Sequence, residues 1–296
     1  MKTTTLAISL AALLAAAGAD AGERIKRTLE TGEQPDVHII NAKGDITVAG
    51  HDSSRIEIEA ELGKNVDRLD VVERGNRVTI EVVYERGRSS KKSYADLEIR
   101  VPRRSDLQVE GVASDVDVQD VQGALRIETV SGDIETMTFG GDVEISAVSG
   151  DIDVDGNDAT GDASIHTVSG DLDINGLAGA LKAWTVSGDI DVTDSALDKF
   201  KANSTSGDVY VINALTADAY IKAETVSGEV DIHLAGAWSG RIDIKTLNGG
   251  INNCFGPKPQ RTSRYGPGRT LSFDQGTGGA RAEIDTLSGD VDICFD

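Results

Sequence analysis

The hexapeptide TVSGDI at residues 129–134 sets a pattern that the rest of the chain repeats. Its serine is Ser131, and a weaker first copy centres on Ser114. Later copies place a serine, or an asparagine instead, at Ser149, Ser169, Ser187, Ser206, Ser227, Asn248 and Ser288. Successive copies are separated by 17 to 21 residues until a last step of 40. A near-constant period of about 20 residues predicts a solenoid, in which each coil buries its apolar face against its neighbours.

Each copy joins two runs in which apolar and polar residues alternate. In LKAWTVSGDIDV at residues 181–192, Leu181 and Thr185 share the inner face of the first run. After the Ser-Gly turn, the inner face continues with Ile190 and Val192. Alternation with a period of two indicates strands, and crossovers between parallel strands are almost always right-handed. The expected fold is all-β, a right-handed parallel β-helix or solenoid with about 20 residues per coil.

The regions outside the repeats have other compositions. Residues 1–21 resemble a signal peptide, with an early lysine, an apolar run and small residues before an expected mature start at Gly22. The apolar run is shorter than the roughly 20 residues of a membrane-spanning helix, so no transmembrane span is expected in the mature chain. Residues 22–110 are expected to form an N-terminal β-rich cap. Residues 111–296 are expected to form the solenoid, with an inserted loop at about 256–279.

Negative charge is concentrated in the repeats. The formal net charge of the chain is -21 at pH 7. Residues 22–110 contain 16 Lys and Arg against 18 Asp and Glu, whereas residues 111–296 contain 12 against 31. Such a field repels nucleic-acid phosphates and anionic membranes, so nucleic acid is not an expected partner. Cations or basic surfaces are compatible with it, and the signal peptide predicts export to the periplasm, cell envelope or extracellular space.

The repeats also predict two columns of carboxylates. The first occupies the motif position itself, at Asp133, Asp151, Asp171, Asp189, Asp208, Glu229 and Asp290. The second lies two residues further on, at Glu135, Asp153, Asp173, Asp191, Asp231 and Asp292. Because the intervening residue points inward, both columns face solvent on one side. Charges about 5 Å apart in water repel by somewhat under 1 kcal/mol per pair.

Two interpretations explain how this repulsion is offset. In the favoured one, the motif aspartate caps the Ser-Gly turn by accepting backbone N–H bonds, while the second column keeps the protein soluble. In the other, the columns bind Ca²⁺, which takes six to eight oxygens and tolerates irregular carboxylate sites. The favoured interpretation requires no cofactor.

Cys254 and Cys294 each lie four residues after the same motif position, which Gly250 and Asp290 occupy. If the repeats stack, their Cα atoms lie about one strand spacing apart, within the roughly 4.4–6.8 Å range of disulfides. Export favours a bond between them, which would staple the C-terminal coil and close the inserted loop. The alternative is a pair of buried thiols.

The sequence contains no recognisable catalytic motif. GxSxG, P-loop, HExxH and CxxC patterns are absent, and the four histidines share no motif position or metal-ligand spacing. Trp184 and Trp238 are candidates for stacking on sugar rings, but isolated tryptophans more often pack or line a rim. A non-enzymatic protein is therefore favoured.

A family resemblance adds to this interpretation. The repeated TVSGDI and TVSGEV coils, the RVP that ends a strand at residues 100–102, and SFDQGTGGARAEIDTLSGDVDI at residues 272–293 resemble the DUF4097 family. That family consists of exported bacterial proteins described as putative adhesins. The resemblance covers nearly all of the expected mature chain and implies a β-solenoid, with no catalytic or ligand-binding residues to transfer. Asn248 and Gly250 depart from the motif.

These features predict an exported, non-enzymatic envelope protein that binds, scaffolds or adheres through an elongated acidic β-surface. The expected partner is a protein or glycan surface of unknown identity. Two alternatives stay open: an enzyme acting on polysaccharide, since parallel β-helices often host lyases and hydrolases, and a structural module that responds to divalent cations. The enzyme needs carboxylates spaced for acid and base catalysis beside Arg or Lys, and the repeat face is poor in basic residues.

Overall fold

A computed structural model of the chain describes residues 23–87, 93–138 and 140–295. These residues form 26 strands and no helix, and hydrogen bonds connect all the strands. No helix in this part of the chain is therefore long and apolar enough to cross a membrane. Most neighbouring strands are parallel, which confirms the prediction of an all-β, solenoid-like fold. The expected signal peptide at residues 1–21 lies outside the described residues.

The strands fall into three groups along the chain. The N-terminal strands are β1 (Glu23–Glu30), β2 (Asp36–Lys43), β3 (Ile46–His51), β4 (Arg55–Leu62), β5 (Val66–Arg74), β6 (Arg77–Tyr84), β7 (Ala95–Pro102), β8 (Asp106–Ala113) and β9 (Val116–Val121). The central strands are β10 (Leu125–Ser131), β11 (Ile134–Thr138), β12 (Val143–Ser149), β13 (Ile152–Thr160), β14 (Ala163–His166), β15 (Leu172–Ser187), β16 (Ile190–Thr193), β17 (Ala196–Ser206), β18 (Val209–Ile212), β19 (Leu215–Ser227) and β20 (Val230–Leu234). The C-terminal strands are β21 (Gly240–Asn248), β22 (Ile251–Asn253), β23 (Gln260–Arg261), β24 (Arg269–Gln275), β25 (Ala280–Ser288) and β26 (Val291–Phe295).

Each coil contributes strands to two sheets. We call the sheet whose repeat strands end at the motif serine the serine sheet. We call the sheet whose repeat strands begin just after the motif aspartate the aspartate sheet. The serine sheet runs β5-β6-β2-β8-β10-β12-β14-β15-β17-β19-β25-β21-β24-β23. The aspartate sheet runs β1-β4-β7-β3-β9-β11-β13-β15-β16-β18-β20-β26-β22.

Equivalent residues of neighbouring coils lie side by side, so the inward positions form continuous columns of apolar side chains. Ile127 pairs with Ile145 in the serine sheet, and Ile174 pairs with Val192 in the aspartate sheet. All four are at most 2% exposed, and Phe200 is the largest fully buried side chain. Burial of apolar surface, worth about 25 cal/mol per Å², holds the two sheets together.

The register corrects the position of the first repeat. Ala113 pairs with Ser131, so Ser114 occupies the slot of the motif glycine rather than that of the serine. Ser114 is buried, and its hydroxyl donates to the backbone carbonyl of Asn41 at 3.2 Å. Spacing alone could not decide between adjacent slots, because this copy lacks the glycine that marks the turn.

At both ends the coils follow a different order in space than in the chain. The coil of β2 and β3 pairs directly with the coil of β8 and β9, while β6 and β7 lie on its outer side. At the other end, β25 and β26 lie between the coil of β19 and β20 and the coil of β21 and β22. The C-terminal coil of the chain, which contains Ser288, is therefore not the outermost coil of the stack. Either C-terminal coil can pair with the coil of β19 and β20, because both have equivalent residues at the pairing positions. The long segment between β22 and β25 lets the chain return on the inner side.

Antiparallel strands cover both edges of the serine sheet and the N-terminal edge of the aspartate sheet. β24 pairs antiparallel with β21, and β23 with β24, so part of the expected loop at 256–279 is strand. At the N-terminal end, β5 covers β6, and β4 and β1 cover β7. Covered edges prevent the sheets from pairing with strands of other molecules.

Candidate functional site

The motif aspartates form a ladder of hydrogen bonds between coils. Each carboxylate accepts a hydrogen bond from the backbone N–H of the equivalent residue in the next coil. The N–H of Asp151 donates to Asp133 Oδ1 at 3.0 Å. In the same way, the N–H of Asp189 donates to Asp171 Oδ1 at 2.8 Å. The acceptors in the central stack are Asp115, Asp133, Asp151, Asp171, Asp189 and Asp208. Hydrogen bonds to an ionised acceptor are stronger than neutral ones, so they offset the repulsion between neighbouring carboxylates.

This geometry differs from the expected cap on each aspartate's own Ser-Gly turn. The carboxylate reaches the next coil because the parallel register places the equivalent N–H only about one strand spacing away, roughly 4.8 Å. The ladder also explains why glycine is tolerated at Gly250. Its N–H donates to Asp290 Oδ1 at 2.6 Å, and β22 is the outermost strand of the aspartate sheet in the described part of the chain.

The second acidic column lies on the outer face of the aspartate sheet. The register places its members side by side, in the spatial order Glu135, Asp153, Asp173, Asp191, Tyr210, Asp231 and Asp292. Partial burial raises the pKa of Asp153 and that of Asp191, and neighbouring carboxylates including Asp173 raise both further. Burial also raises the pKa of Asp231. Burial and neighbouring carboxylates therefore make Asp153, Asp191 and Asp231 harder to ionise than isolated aspartates.

Glu229 interrupts the ladder at its C-terminal end. A hydrogen bond with the Asp292 carboxyl group is the main cause that raises the pKa of Glu229, and burial adds to it. Two carboxyl groups can share such a bond only when one of them holds a proton. The longer glutamate side chain thus connects the first acidic column to the second.

The described residues contain no group of three or more His, Cys, Asp or Glu arranged to hold a metal ion. The carboxylates of the ladder are already engaged, as in the bond from the N–H of Asp208 to Asp189 Oδ1 at 2.7 Å. Only the second oxygen of each group is left for a cation. The two columns are therefore better suited to attracting cationic groups over a distance than to chelating a metal ion.

The predicted disulfide between Cys254 and Cys294 is confirmed, with Cα atoms 5.0 Å apart. It connects the segment that follows β22 to β26, and so joins the outermost coil to its inner neighbour. The Phe255 ring packs beside it against Phe295 and Phe273, with ring centroids 4.5 and 5.7 Å apart. The bond and the aromatic cluster together close this end of the stack.

A row of exposed aliphatic side chains runs along the edge of the serine sheet. It occupies the position before the motif serine, which in spatial order is Val112, Val130, Val148, Val168, Val186, Thr205, Val226, Leu287 and Leu247. We call these residues the aliphatic ladder; Val186 is half-buried, and the other aliphatic members are 40–56% exposed. The sequence interpretation missed it, although the alternation that puts Thr129 inside also puts Val130 outside.

The outer face of the serine sheet carries a column of lysines beside an exposed tryptophan. Lys182 pairs with Lys201, and Lys201 with Lys222, so the expected scarcity of basic residues holds for only one face. Trp184 lies beside this column and is 40% exposed. Trp238, in contrast, is 2% exposed, and its indole N–H donates to the Ala219 carbonyl at 3.3 Å. Of the two tryptophans, Trp184 is the accessible one.

The comparison with protein families agrees with this architecture. The Toastrack DUF4097 family model matches residues 35–294, which include both the interleaved N-terminal strands and the repeats. The chain belongs to the DUF4097 family. The resemblance inferred from the motif is thereby confirmed.

Solved structures similar to this DUF4097 protein share little of its sequence. A putative adhesin from Bacteroides fragilis NCTC 9343 is 11% identical, with a TM-score of 0.47 over 92% of this chain and 97% of that one. A putative adhesin from Parabacteroides merdae ATCC 43184 is 13% identical, with a TM-score of 0.41 over 71% and 95%. A putative cell adhesion protein from Clostridium sporogenes ATCC 15579 is 8% identical, with a TM-score of 0.29 over 93% and 100%. No curated protein matches the chain in sequence.

One serine of the DUF4097 protein lies within reach of a base. Ser53 Oγ is 2.9 Å from His51 Nδ1, and His51 Nε2 is 2.8 Å from the Arg55 carbonyl oxygen. If Nε2 donates to that carbonyl, Nδ1 accepts the hydroxyl proton of Ser53. Ser53 lies in the turn between β3 and β4, and His51 and Arg55 are the strand residues that flank this turn. Arg103 also contacts the turn, because its Nε donates to Asp52 Oδ1 at 2.8 Å. The contacts fix the shape of this turn.

Proposed function

We propose that this DUF4097 protein is an exported, non-catalytic binding or scaffolding protein of the cell envelope. Its binding surface is the corner where the aliphatic ladder and the two acidic columns run side by side. The observation that supports this is the exposure of the aliphatic ladder, since seven of its nine positions hold aliphatic side chains that are 40–56% exposed. Contiguous exposed apolar surface bordered by polar groups is typical of interaction sites.

Charge complementarity defines the partner of this corner. Only the Ser-Gly turn separates Val130 of the aliphatic ladder from Asp133 of the acidic column. A partner protein with apolar side chains flanked by Lys or Arg would bury the ladder and meet the carboxylates together. The acidic field steers such a partner into place, and contact with the aliphatic side chains then supplies most of the binding energy.

The chain itself offers a conservative substitution for testing this surface. Thr205 occupies a position of the aliphatic ladder and has nearly the shape of valine. The triple variant V130T/V148T/V168T therefore removes apolar surface without changing charge or the β-branched side-chain shape. Val72 on β5 is 43% exposed outside the ladder, so V72T is the matched control.

The experiment is a pull-down from envelope extract at low and high salt, with and without a chelator. The wild type and V72T should retain the same protein partner, the triple variant should lose it, and high salt should slow its capture. Equal capture by the triple variant would contradict a role for the aliphatic ladder. Turnover of a glycan in the same extract would contradict the non-catalytic proposal.

The organisation of the chain is part of the proposal. We infer a signal peptide at 1–21, a capping region at 22–110 and a right-handed solenoid at 111–296 with about 20 residues per coil. Register partners such as Ile127 and Ile145 support this coil length, and the usual handedness of parallel crossovers supports the hand. N-terminal sequencing of the exported protein should begin at Gly22, and a start within the apolar run would contradict the assignment.

A second candidate function, a module that responds to divalent cations, is favoured by the crowding in the second acidic column. Its Asp153 and Asp191 carboxyl groups have pKa values raised by burial and by neighbouring carboxylates, a strain that a bound cation relieves. Millimolar Ca²⁺ should then raise the melting temperature by several degrees, with Mg²⁺ less effective. An unchanged melting temperature would remove this candidate.

A further inference from the structure

We infer that the serine sheet carries a binding site for acidic polysaccharide chains, centred on Trp184. The site lies on three neighbouring coils, those of β14, β15 and β17. Their outward side chains in this stretch are Ser164, His166, Lys182, Trp184, Lys201 and Asn203. In a chain with a net charge of -21, this surface holds two lysines and no carboxylate.

Trp184 provides the stacking surface. Its indole is 40% exposed on an open sheet, although it is among the largest apolar groups in the chain. The His166 ring lies edge-on to it in the adjacent strand, with centroids 6.3 Å apart and planes at 64°. His166 thereby restricts the orientation of the indole and leaves it accessible from outside. A sugar ring presents C–H groups to such a face while its hydroxyls bond with neighbours such as Asn203.

The two lysines of the site provide the complementary charge. Lys182 and Lys201 are register partners, and a third lysine, Lys199, is exposed in the same strand as Lys201, next to the exposed Asp198. Among the described residues, none of the three forms a salt bridge. By contrast, two other lysines of the same sheet form salt bridges. Lys222 pairs with Glu224 at 2.9 Å, and Lys245 pairs with Asp285 at 3.8 Å. Ammonium groups without a partner are available to an anionic ligand.

The chemistry of the site favours a polysaccharide over other polyanions. Glu144 lies beside Ser164 at one boundary of the site, and Glu224 beside Asn203 at the other, so these carboxylates limit any polyanion to a short contact. Within that contact, a polysaccharide of uronic acids offers neutral hydroxyls and ring faces that suit the indole. Its repeating units also suit a surface that repeats about every 4.8 Å.

This inference rests on the proposed function in one respect, namely that the protein holds its partner and does not cleave it. It does not depend on the acidic columns, which lie on the aspartate side of the coil. The aliphatic ladder borders the site, since Val186 follows Trp184 by two residues on the same face of β15, but the two tests change different residues. Failure of one proposal therefore leaves the other intact.

The test is the affinity of the mature chain, with its disulfide intact, for polygalacturonate. Trp184→Ala should weaken binding by about tenfold or more, because it removes the stacking face. Trp184→Phe should retain most of the affinity. The K182Q/K201Q variant should weaken binding and reduce its dependence on salt. Tyr210→Ala is the matched control, since Tyr210 is an aromatic residue of 39% exposure on the aspartate sheet.

The remaining outcomes are equally decisive. Failure of the wild type to bind polygalacturonate, or equal binding by W184A, would overturn the site. Binding of polyglutamate or single-stranded DNA as strongly as polygalacturonate would also overturn it, because any polyanion would then suffice. Shortening of the polygalacturonate during incubation would overturn the non-catalytic proposal while leaving the site in place. Melting curves establish that each variant is folded.

Discussion

The central coils and the two ends of the stack follow different rules. From β10 to β18, each coil lies against the coils that precede and follow it in the chain, and carboxylates connect them. At the ends, coils are interleaved, and antiparallel strands, a disulfide and aromatic rings replace the repeat. Repetition alone therefore extends a solenoid, whereas termination requires structure that does not repeat.

This difference predicts that the two regions have separate stabilities. Coils of a solenoid interact only with their neighbours, so its ends can unfold before its centre. The two tryptophans of the chain report on the two regions. Trp184 lies in a central coil, and Trp238 immediately precedes β21 of the outermost coil. Variants that keep a single tryptophan therefore distinguish the regions by fluorescence.

The largest effect is expected from Phe200→Ala in the central core. Phe200 is fully buried, so the substitution removes apolar contacts and leaves a cavity, at a cost of about 3–5 kcal/mol. The urea transition of Trp184 should move to much lower denaturant. Leu271→Ala, in the capping strand β24, should instead move chiefly the Trp238 transition. If both variants moved both transitions equally, the chain would unfold as one unit and the comparison would fail.

A smaller and more local effect is expected from loss of the disulfide. The C254S/C294S variant frees a loop with a sequence separation of 40, which typically costs about 2–4 kcal/mol. The Trp238 transition should move, and that of Trp184 should hardly change. Reduction of the wild type by dithiothreitol is the parallel measurement. A variant as stable as the wild type in both transitions would show that the aromatic cluster alone closes the end.

The glycine at the central turn sharpens the comparison further. Gly188 has φ of +147°, and a Cβ there would overlap the carbonyl oxygen of Gly170 in the adjacent coil. Gly188→Ala should therefore cost about 1–3 kcal/mol in the Trp184 transition. Gly236, near the C-terminal end, has no heavy atom within 4 Å of such a Cβ. Gly236→Ala should be close to neutral, and an equal loss in both variants would contradict the role of coil-to-coil contact.

The sequence predicts the central coils well because one register satisfies every slot. Ser187 pairs with Ser206, and Ile174 with Val192, as the spacing of the motif required. The order of the end coils was not predictable in this way. The coils that contain Ser288 and Asn248 have similar residues at the positions that pair with the Ser227 coil. Which of the two coils pairs with it depends on how the segment 254–279 folds back.

The candidate sites were predictable in part. Motif spacing located the acidic columns, but it did not reveal that the Asp171 carboxylate bonds to the next coil, because that depends on side-chain conformation. The aliphatic ladder follows from alternation alone once Thr129 is placed inside. The pairing of Lys182 with Lys201 follows from the motif spacing as well, since each lies five residues before its motif serine, whereas the position of the His166 ring against Trp184 depends on side-chain conformation.

The smallest expected effect is a difference in pH response between the centre and the N-terminal edge. Burial raises the pKa of Asp153 and of Asp191 in the central coils above the ordinary 3.8. Protonation therefore favours the folded centre, and this stabilisation is complete below 3.8 and lost as pH rises through the raised values. At the edge, a hydrogen bond from Lys26 lowers the pKa of Glu59 below the ordinary 4.5. That stabilisation is present above 4.5 and lost as pH falls through the lowered value.

Mild acidification from neutral pH towards 4.5, the ordinary pKa of Glu59, should thus begin to stabilise the centre and leave the pairing of β1 with β4 unchanged. Stronger acidification below the ordinary pKa of Glu59 should weaken that pairing. The Trp184 transition in urea measures the first response, and hydrogen exchange of β4 amides, corrected for intrinsic rates, measures the second. Asn at positions 153 and 191 (D153N/D191N) should flatten the response of the centre alone, because these amides do not titrate. A centre that loses stability on mild acidification would show that the carboxylate ladder, and not the crowded second column, controls how the solenoid responds to protons.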